Sequence, residues 1–173
     1  MEEYKISIKN QVKHLGGISF FLFFILMWKG YSLQQNTYEK YDLNTYFLIM
    51  FSLQFIPLLV LHINYYATNR GDILKYDDDQ KIFHFSHKKQ QVSFSSEQID
   101  KVFVYKSFSM QYQNVSYVTW DWYSHAVIVL QNGQKVTITS LMYGRDFKMP
   151  LPENKIVLKL SFVRWAIGPS LKL

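Results

Sequence analysis

From Leu43 to Asn69 the chain runs 27 residues without an Asp, Glu, Lys or Arg, reading LNTYFLIMFSLQFIPLLVLHINYYATN. As a helix this run extends about 40 Å at the α-helical rise of ~1.5 Å per residue. A bilayer core of ~30 Å needs ~20 mostly apolar residues. The run therefore predicts a membrane-spanning helix, and every other part of the chain has to be arranged around it.

A second apolar run precedes it. Leu15 to Trp28 reads LGGISFFLFFILMW, 14 residues that alone suit a core helix or a signal segment. Gln11-Val12 and Gly30 to Leu33 extend the helical pattern on both sides, and Lys29 stands where its stem reaches the headgroups. No small-x-small cleavage pattern follows Trp28, which argues against a removed signal peptide. With only Gln34 to Asp42 between the runs, the expectation is a hairpin of two spans, about 12–33 and 43–66, within an amino-terminal unit 1–70. Lys and Arg near the spans number five on the tail-and-domain side (Lys5, Lys9, Lys13, Arg70, Lys75) against two at the loop (Lys29, Lys40). The positive-inside rule then puts both the amino tail and the carboxyl domain in the cytoplasm.

Within the second span Gln54 and Pro57 stand out. Pro57 removes a helix hydrogen bond, and Gln54 has the chemistry to bond a partner helix or another copy. They are the expected intramembrane helix contacts. His62, Asn64, Tyr65 and Tyr66 read as the interfacial end of the span. No carboxylate, Lys or Arg lies mid-span, so polar packing is favoured over an ion path.

Beyond residue 70 the pattern changes to short strands, giving a second unit, 71–173, expected to fold without the spans. Asp72–Tyr76, Lys81–Ser86, Gln91–Phe94, Ile99–Ser107, Ser124–Leu130, Lys135–Leu141 and Ile156–Phe162 read as strands. Asp77-Asp78-Asp79-Gln80 and His87 to Gln90 separate them as turns. Ser95-Ser96-Glu97-Gln98 has capping-box spacing, and Asn132-Gly133 signals a hairpin with both central residues at positive φ. In Ile99–Ser107 the expected pattern sets Ile99, Phe103 and Tyr105 on one face against Val102 and Val104. The aromatic block Phe108 to Trp122 resists assignment. Seven strands with tight turns predict a bent antiparallel sheet or small open barrel, and the chain as a whole reads as an α+β membrane protein.

Two stretches carry a resemblance. SFSSEQIDKVFVY (Ser93 to Tyr105) and DWYSHAVIVLQNGQKVTITSL (Asp121 to Leu141), taken with the two spans, resemble the bacterial pleckstrin-homology-like domain proteins anchored by a transmembrane hairpin. The resemblance implies a partly open, mostly antiparallel barrel of about seven strands in two bent sheets, usually closed by a carboxyl helix. Here the last segment alternates like a strand, which puts that helix in doubt. The family's functions are mostly undefined, so the resemblance informs the fold more than the activity, and the expected bacterial inner-membrane location goes with the two spans. Phosphoinositide-binding relatives use basic residues in the first hairpin. The corresponding turn is taken to be Asp77-Asp78-Asp79, which repels phosphate, and Lys88 and Lys89 in the second turn are a weak signal. Specific phosphoinositide recognition is not expected.

The remaining chemistry is sparse. There is no cysteine, so thiolate catalysis, disulfides and Cys-ligated zinc are excluded. Basic residues exceed acidic by six to four in 1–70 and by thirteen to nine in 71–173, scattered and not clustered, which argues against nucleic acid. His84 and His87 point to opposite faces of a strand, and no phosphate loop, nucleophile elbow or paired carboxylates appear. No catalytic residue, metal ligand or cofactor is assigned. Candidate surface residues are Tyr117, Trp120, Trp122 and Tyr123 of the aromatic block (with Tyr112) and Lys88 and Lys89. The rings either fill the core or form an exposed patch for a partner or the membrane interface. The functional expectation is a membrane-anchored binding or scaffold module, its partners the bilayer and a protein or a second copy. The alternative is an accessory subunit of a larger membrane complex or transporter.

Overall fold

The computed structural model describes residues 1–34, 43–112, 118–145, 147–151, 153–162, 164–166 and 170–172. The chain opens on a strand, β1 (Glu2–Lys5), followed by helices α1 (Ile8–Gln34) and α2 (Leu43–Asn69). Then come β2 (Ile73–Asp77), β3 (Ile82–His87), β4 (Gln90–Ser95) and β5 (Ile99–Lys106). A one-turn helix α3 (Phe108–Tyr112) precedes β6 (His125–Leu130), β7 (Lys135–Thr139) and the short α4 (Ser140–Tyr143). Strands β8 (Ile156–Leu160) and β9 (Leu171–Lys172) finish the fold. Most of the Gln34–Asp42 loop and Gly168-Pro169 lie outside the described residues.

The strands form two sheets, ordered β1-β2-β3-β4 and β8-β5-β6-β7-β9. Their inner faces share one apolar core. Leu74, Tyr76, Phe83, Phe85 and Phe94 come from the first sheet, and Val102, Val104, Ala126, Ile128, Val136 and Ile138 from the second. Alternation sets this arrangement: every second side chain of a strand faces inward. Ring packing reinforces the first sheet, with Tyr76 and Phe83 centroids 4.6 Å apart and Phe83 and Phe94 5.4 Å apart.

Local signals explain the element boundaries. Ser7 caps α1, its Oγ accepting from the Asn10 N–H at 3.1 Å. Gly71, at φ +81°, turns the chain out of α2 directly into β2. The Asp77 carboxylate accepts from the N–H groups of Asp79 and Gln80, closing the β2–β3 turn. In Ser95–Gln98 the Gln98 side chain does reach back to the Ser95 N–H, at 2.9 Å, but the segment closes as a single turn and no helix follows.

Several expectations are corrected. The described residues contain nine strands, and β8 joins β5 in parallel while the other pairs are antiparallel. The segment Ile156–Leu160 is a strand as expected, and no carboxyl helix appears among the described residues. In β5 the inward face carries Val102 and Val104, not Phe103 and Tyr105. A register irregularity between Ile99 and Lys101 inserts one residue and inverts the alternation beyond it. At the β6–β7 turn only Gly133 has positive φ (+86°), because the loop is longer than two residues. The Gly133 N–H bonds Leu130 O, and the Leu130 N–H bonds Gln134 O.

The largest difference concerns the amino terminus. Glu2–Lys5, placed with the hairpin by the boundary at residue 70, pairs antiparallel with β2 from Glu2↔Tyr76 to Lys5↔Ile73. The two long helices are thus an insertion between the first two strands. Both of their ends are fixed to the same sheet, so α1 leaves and α2 returns on one side of the β-domain. This also moves the first hairpin: its connection is α1–α2 itself, and Asp77–Asp79 belongs to the β2–β3 turn.

Candidate functional site at the base of the helices

The lower part of α2 lies across the outer face of the second sheet. Leu58, Leu61 and Tyr65 are buried there with Trp120, Tyr123, Leu141 and Ala166, and Leu15 and Ile18 of α1 pack against the same cluster. Helical spacing puts 58, 61, 65 and 68 on one stripe, and all four are buried. The opposite stripe is apolar too, yet exposed: Leu53, Ile56, Leu59, Val60 and Ile63. The sequence could not separate these stripes, since protein core and lipid call for the same residues.

Polar bonds fasten this seam. The Tyr65 hydroxyl donates to Arg164 O at 2.7 Å and lies 3.2 Å from Nδ1 of His125. His62 Nδ1 meets the Tyr123 hydroxyl at 2.8 Å, and Asn64 exchanges two bonds with the Ala166 backbone. His62 and Asn64, read from the sequence as an interfacial end, are therefore committed to the β-domain. Asn69 donates to Thr137 O and to Asp72, while Asn10 of α1 donates to Leu141 O and Met142 O.

Arg164 is the key of the seam. Its side chain is fully buried. Nε donates to Tyr123 O at 2.6 Å, Nη2 to Trp120 O at 2.7 Å, and Nη1 to Ser161 O and Phe162 O. The planar fork of donors suits this array of carbonyls, as a single ammonium does not. Burial lowers its pKa from the ordinary value, while Tyr65 and Asp121 act in the opposite direction. Burial likewise holds His125 neutral, depressing its pKa to about 4, and raises those of Tyr123 and Tyr143.

The expected site residues divide. Trp120 and Tyr123 are buried in the seam, so they fill a core and do not form a patch. Trp122 is half-buried beneath the Arg145 guanidinium, 4.9 Å from its ring centroid. Tyr112 is exposed, and Tyr117 lies outside the described residues. Lys88 and Lys89 are exposed on the β3–β4 turn, beside a groove shared with His87, Gln90 and Leu171. His87 of that turn bonds Asp72 and Ser170, which ties the turn to the Asn69 end of α2. His84 bonds Ser93, so the two histidines have separate partners.

Gln54 does not wait for a partner helix: its Oε1 accepts from the Thr119 N–H at 3.1 Å, and Thr119 Oγ1 donates to Gln54 O at 2.9 Å. Pro57 is half-buried within an unbroken helix. Residues the sequence reading passed over are Phe108, Phe162 and Trp165, all exposed near the seam, and Arg164 itself. A lone Arg between apolar neighbours (FVRWAI) was the available signal. Among the described residues no group of three or more His, Asp or Glu side chains gathers as a metal site.

Two sheets around one core, with helices laid on an outer face, define a small β-domain carrying a helical insertion. The family model of the PH domain matches residues 3–146, and the chain belongs to that family. The match begins in β1 and spans the helical insertion, in agreement with β1 being the first strand of the domain. No curated protein and no solved structure matches the chain significantly. PH domains are generally non-catalytic modules that bind lipids or proteins.

Proposed function

We propose that this protein is a membrane-anchored PH-domain binding or scaffold module without enzymatic activity. In this reading the two-helix insertion spans the bacterial inner membrane, and the β-domain and amino terminus face the cytoplasm. The observation that carries it is the apolar stripe of α2 pointing away from the β-domain, continued upward by Leu48 and Ile49. Leu22, Phe23, Leu26 and Met27 of α1 are exposed in the same manner. Leu48–Asn69 alone among the described helices is long and apolar enough, by length and composition, to cross a membrane. Lipid is a cover that suits an exposed apolar stripe running along two neighbouring helices.

The rival reading, an accessory subunit of a larger membrane complex or transporter, has Gln54 and Pro57 packing against partner spans. Within the chain Thr119 already bonds Gln54, which favours the first reading. The ligand of the β-domain is, on this reading, another protein or a second copy. Two measurements test the proposal. The chain is expected to stay with membranes through carbonate extraction, and a reporter fused after Leu173 is expected to be active in the cytoplasm. Release of the chain by carbonate overturns the anchoring, and a periplasmic signal overturns the topology.

A further inference from the structure

The helices leave too little free length for a bilayer. α2 is engaged by the β-domain from Gln54 downward, through Thr119. Above that contact remain Leu43 to Leu53, about 16 Å of helix at ~1.5 Å per residue. Among the described side chains α1 engages the cluster as far up as Ile18, and from there to Gln34 the helix runs about 24 Å by the same rise. A hydrocarbon core is ~30 Å thick. The apolar stripe of α2 reaches that length only if lipid follows it down to Ile63, alongside the β-domain. Tyr66 then marks the end of the stripe, with the Arg70 guanidinium 5.9 Å from its ring centroid.

The β-domain is shaped for this at one place. Phe108 and Tyr112, four apart on the one-turn helix α3, are 58% and 62% exposed, Phe162 is 64% exposed and Trp165 is 42% exposed. Contacts place them around the base of the helices. The Phe162 ring packs edge-on against Trp120 at 5.9 Å, and Trp120 follows Thr119, the residue bonded to Gln54. Ser107, just before Phe108, donates to Asp121 O, and Ala166, just after Trp165, bonds Asn64 of α2. Lys106 and Lys159 flank these aromatics in sequence, as suits anionic headgroups. The Lys88-Lys89 turn is tied through His87 and Asp72 to the other end of the seam, at Asn69 of α2.

We propose that this aromatic rim, Phe108, Tyr112, Phe162 and Trp165, is seated in the interfacial layer of the bilayer that the helices enter. The inference rests on the anchoring reading above. The occupant is a lipid surface: aromatic rings favour the headgroup level, and seating the rim there makes up the missing helix length by lowering the β-domain onto the membrane. The seat fixes the orientation of the domain as well as its distance, because the rim and the helices hold it at separate points.

The absence of cysteine makes the test direct. Single variants Phe108→Cys, Phe162→Cys and Trp165→Cys, with Leu26→Cys in the helix and Lys89→Cys on the turn beyond the Asn69 end of α2, are labelled with an environment-sensitive fluorophore. Each is placed in nanodiscs of phosphatidylcholine and phosphatidylglycerol containing lipid spin-labelled near the headgroup or deep in the chain. The rim positions are expected to lose fluorescence to the shallow label, Leu26 to the deep label and Lys89 to neither. Quenching at Leu26 with none at the three rim positions overturns the seat and leaves the anchoring intact. A chain that is not retained in the disc, with Leu26 unquenched, overturns the anchoring and the seat together. Three independent rim positions, each checked for an unchanged melting temperature in detergent, keep one misfolded variant from deciding the outcome.

Discussion

At the scale of single residues, Arg164 and His125 carry the seam in opposite ways. Arg164 is charged and buried, and it is tolerated because its donors meet four carbonyls. Arg164→Ala leaves Trp120 O and Tyr123 O buried without that partner, and is expected to cost about 3–5 kcal/mol. Arg164→Lys is expected to recover only a small part, since one ammonium cannot span the array. Thermal unfolding in detergent measures both. His125 is buried and neutral, with a pKa of about 4 against an ordinary value of 6.5. Above pH 6.5 neither the folded nor the unfolded chain holds the proton, and the full stability is present. As the pH falls from 6.5 toward about 4 the unfolded chain takes up a proton that the folded chain refuses. Stability is therefore lost over that window, by up to roughly 3 kcal/mol. The groups facing His125 are Tyr65, Tyr105 and Arg164. Denaturant unfolding across that pH range is expected to show a shallower slope in His125→Phe.

At the scale of elements, α2 is a helix with two apolar stripes serving different surroundings. One stripe is buried against the β-domain, and the other is exposed, where the proposed anchoring puts lipid. Gln54→Leu removes the acceptor for the Thr119 N–H, with an expected cost of about 1–2 kcal/mol despite the gain in hydropathy. Faster hydrogen exchange at 118–122 reports the loss, and unchanged exchange there contradicts the assignment of Gln54 to the seam. The β6–β7 hairpin offers a cleaner case. Gly133 sits at φ +86° with open space where a Cβ would stand. Gly133→Ala is therefore disfavoured by backbone conformation alone, at about 1 kcal/mol, measured as a lowered melting temperature.

At the scale of the whole molecule, the helical insertion and the β-domain are expected to fold as one unit. β1 completes the first sheet, and the lower half of α2 covers Thr137, Thr139 and His125 of the second. Deleting residues 1–70, which the sequence boundary treats as harmless, removes a strand and exposes that face. The fragment 71–173 is expected to aggregate or to lose its cooperative melting. A chain keeping β1, the first turns of α1 and α2 from Gln54 onward, joined by a flexible linker, is expected to keep it. Circular dichroism melting of the two fragments distinguishes one unit from two.

Local patterns determined much of this protein before any packing was known. A 27-residue run without a formal charge becomes a helix, and the alternation in Lys81–Ser86 and Ile156–Phe162 becomes strands. Asp77 and Gly133 close turns, because each of these signals lies in the conformational preference of a few neighbouring residues. Tertiary structure alone decided which face each element hides. One extra residue in β5 exchanged Phe103 and Tyr105 for Val102 and Val104 in the core. Glu2–Lys5, with no strand signal of its own, became β1 by pairing with residues some seventy positions away. Trp120 and Tyr123 went inward and Phe108 and Phe162 outward, although all four are large aromatic residues and the two Phe are the more apolar. Burial is a property of what lies opposite, and for these residues the opposing surface comes from distant parts of the chain.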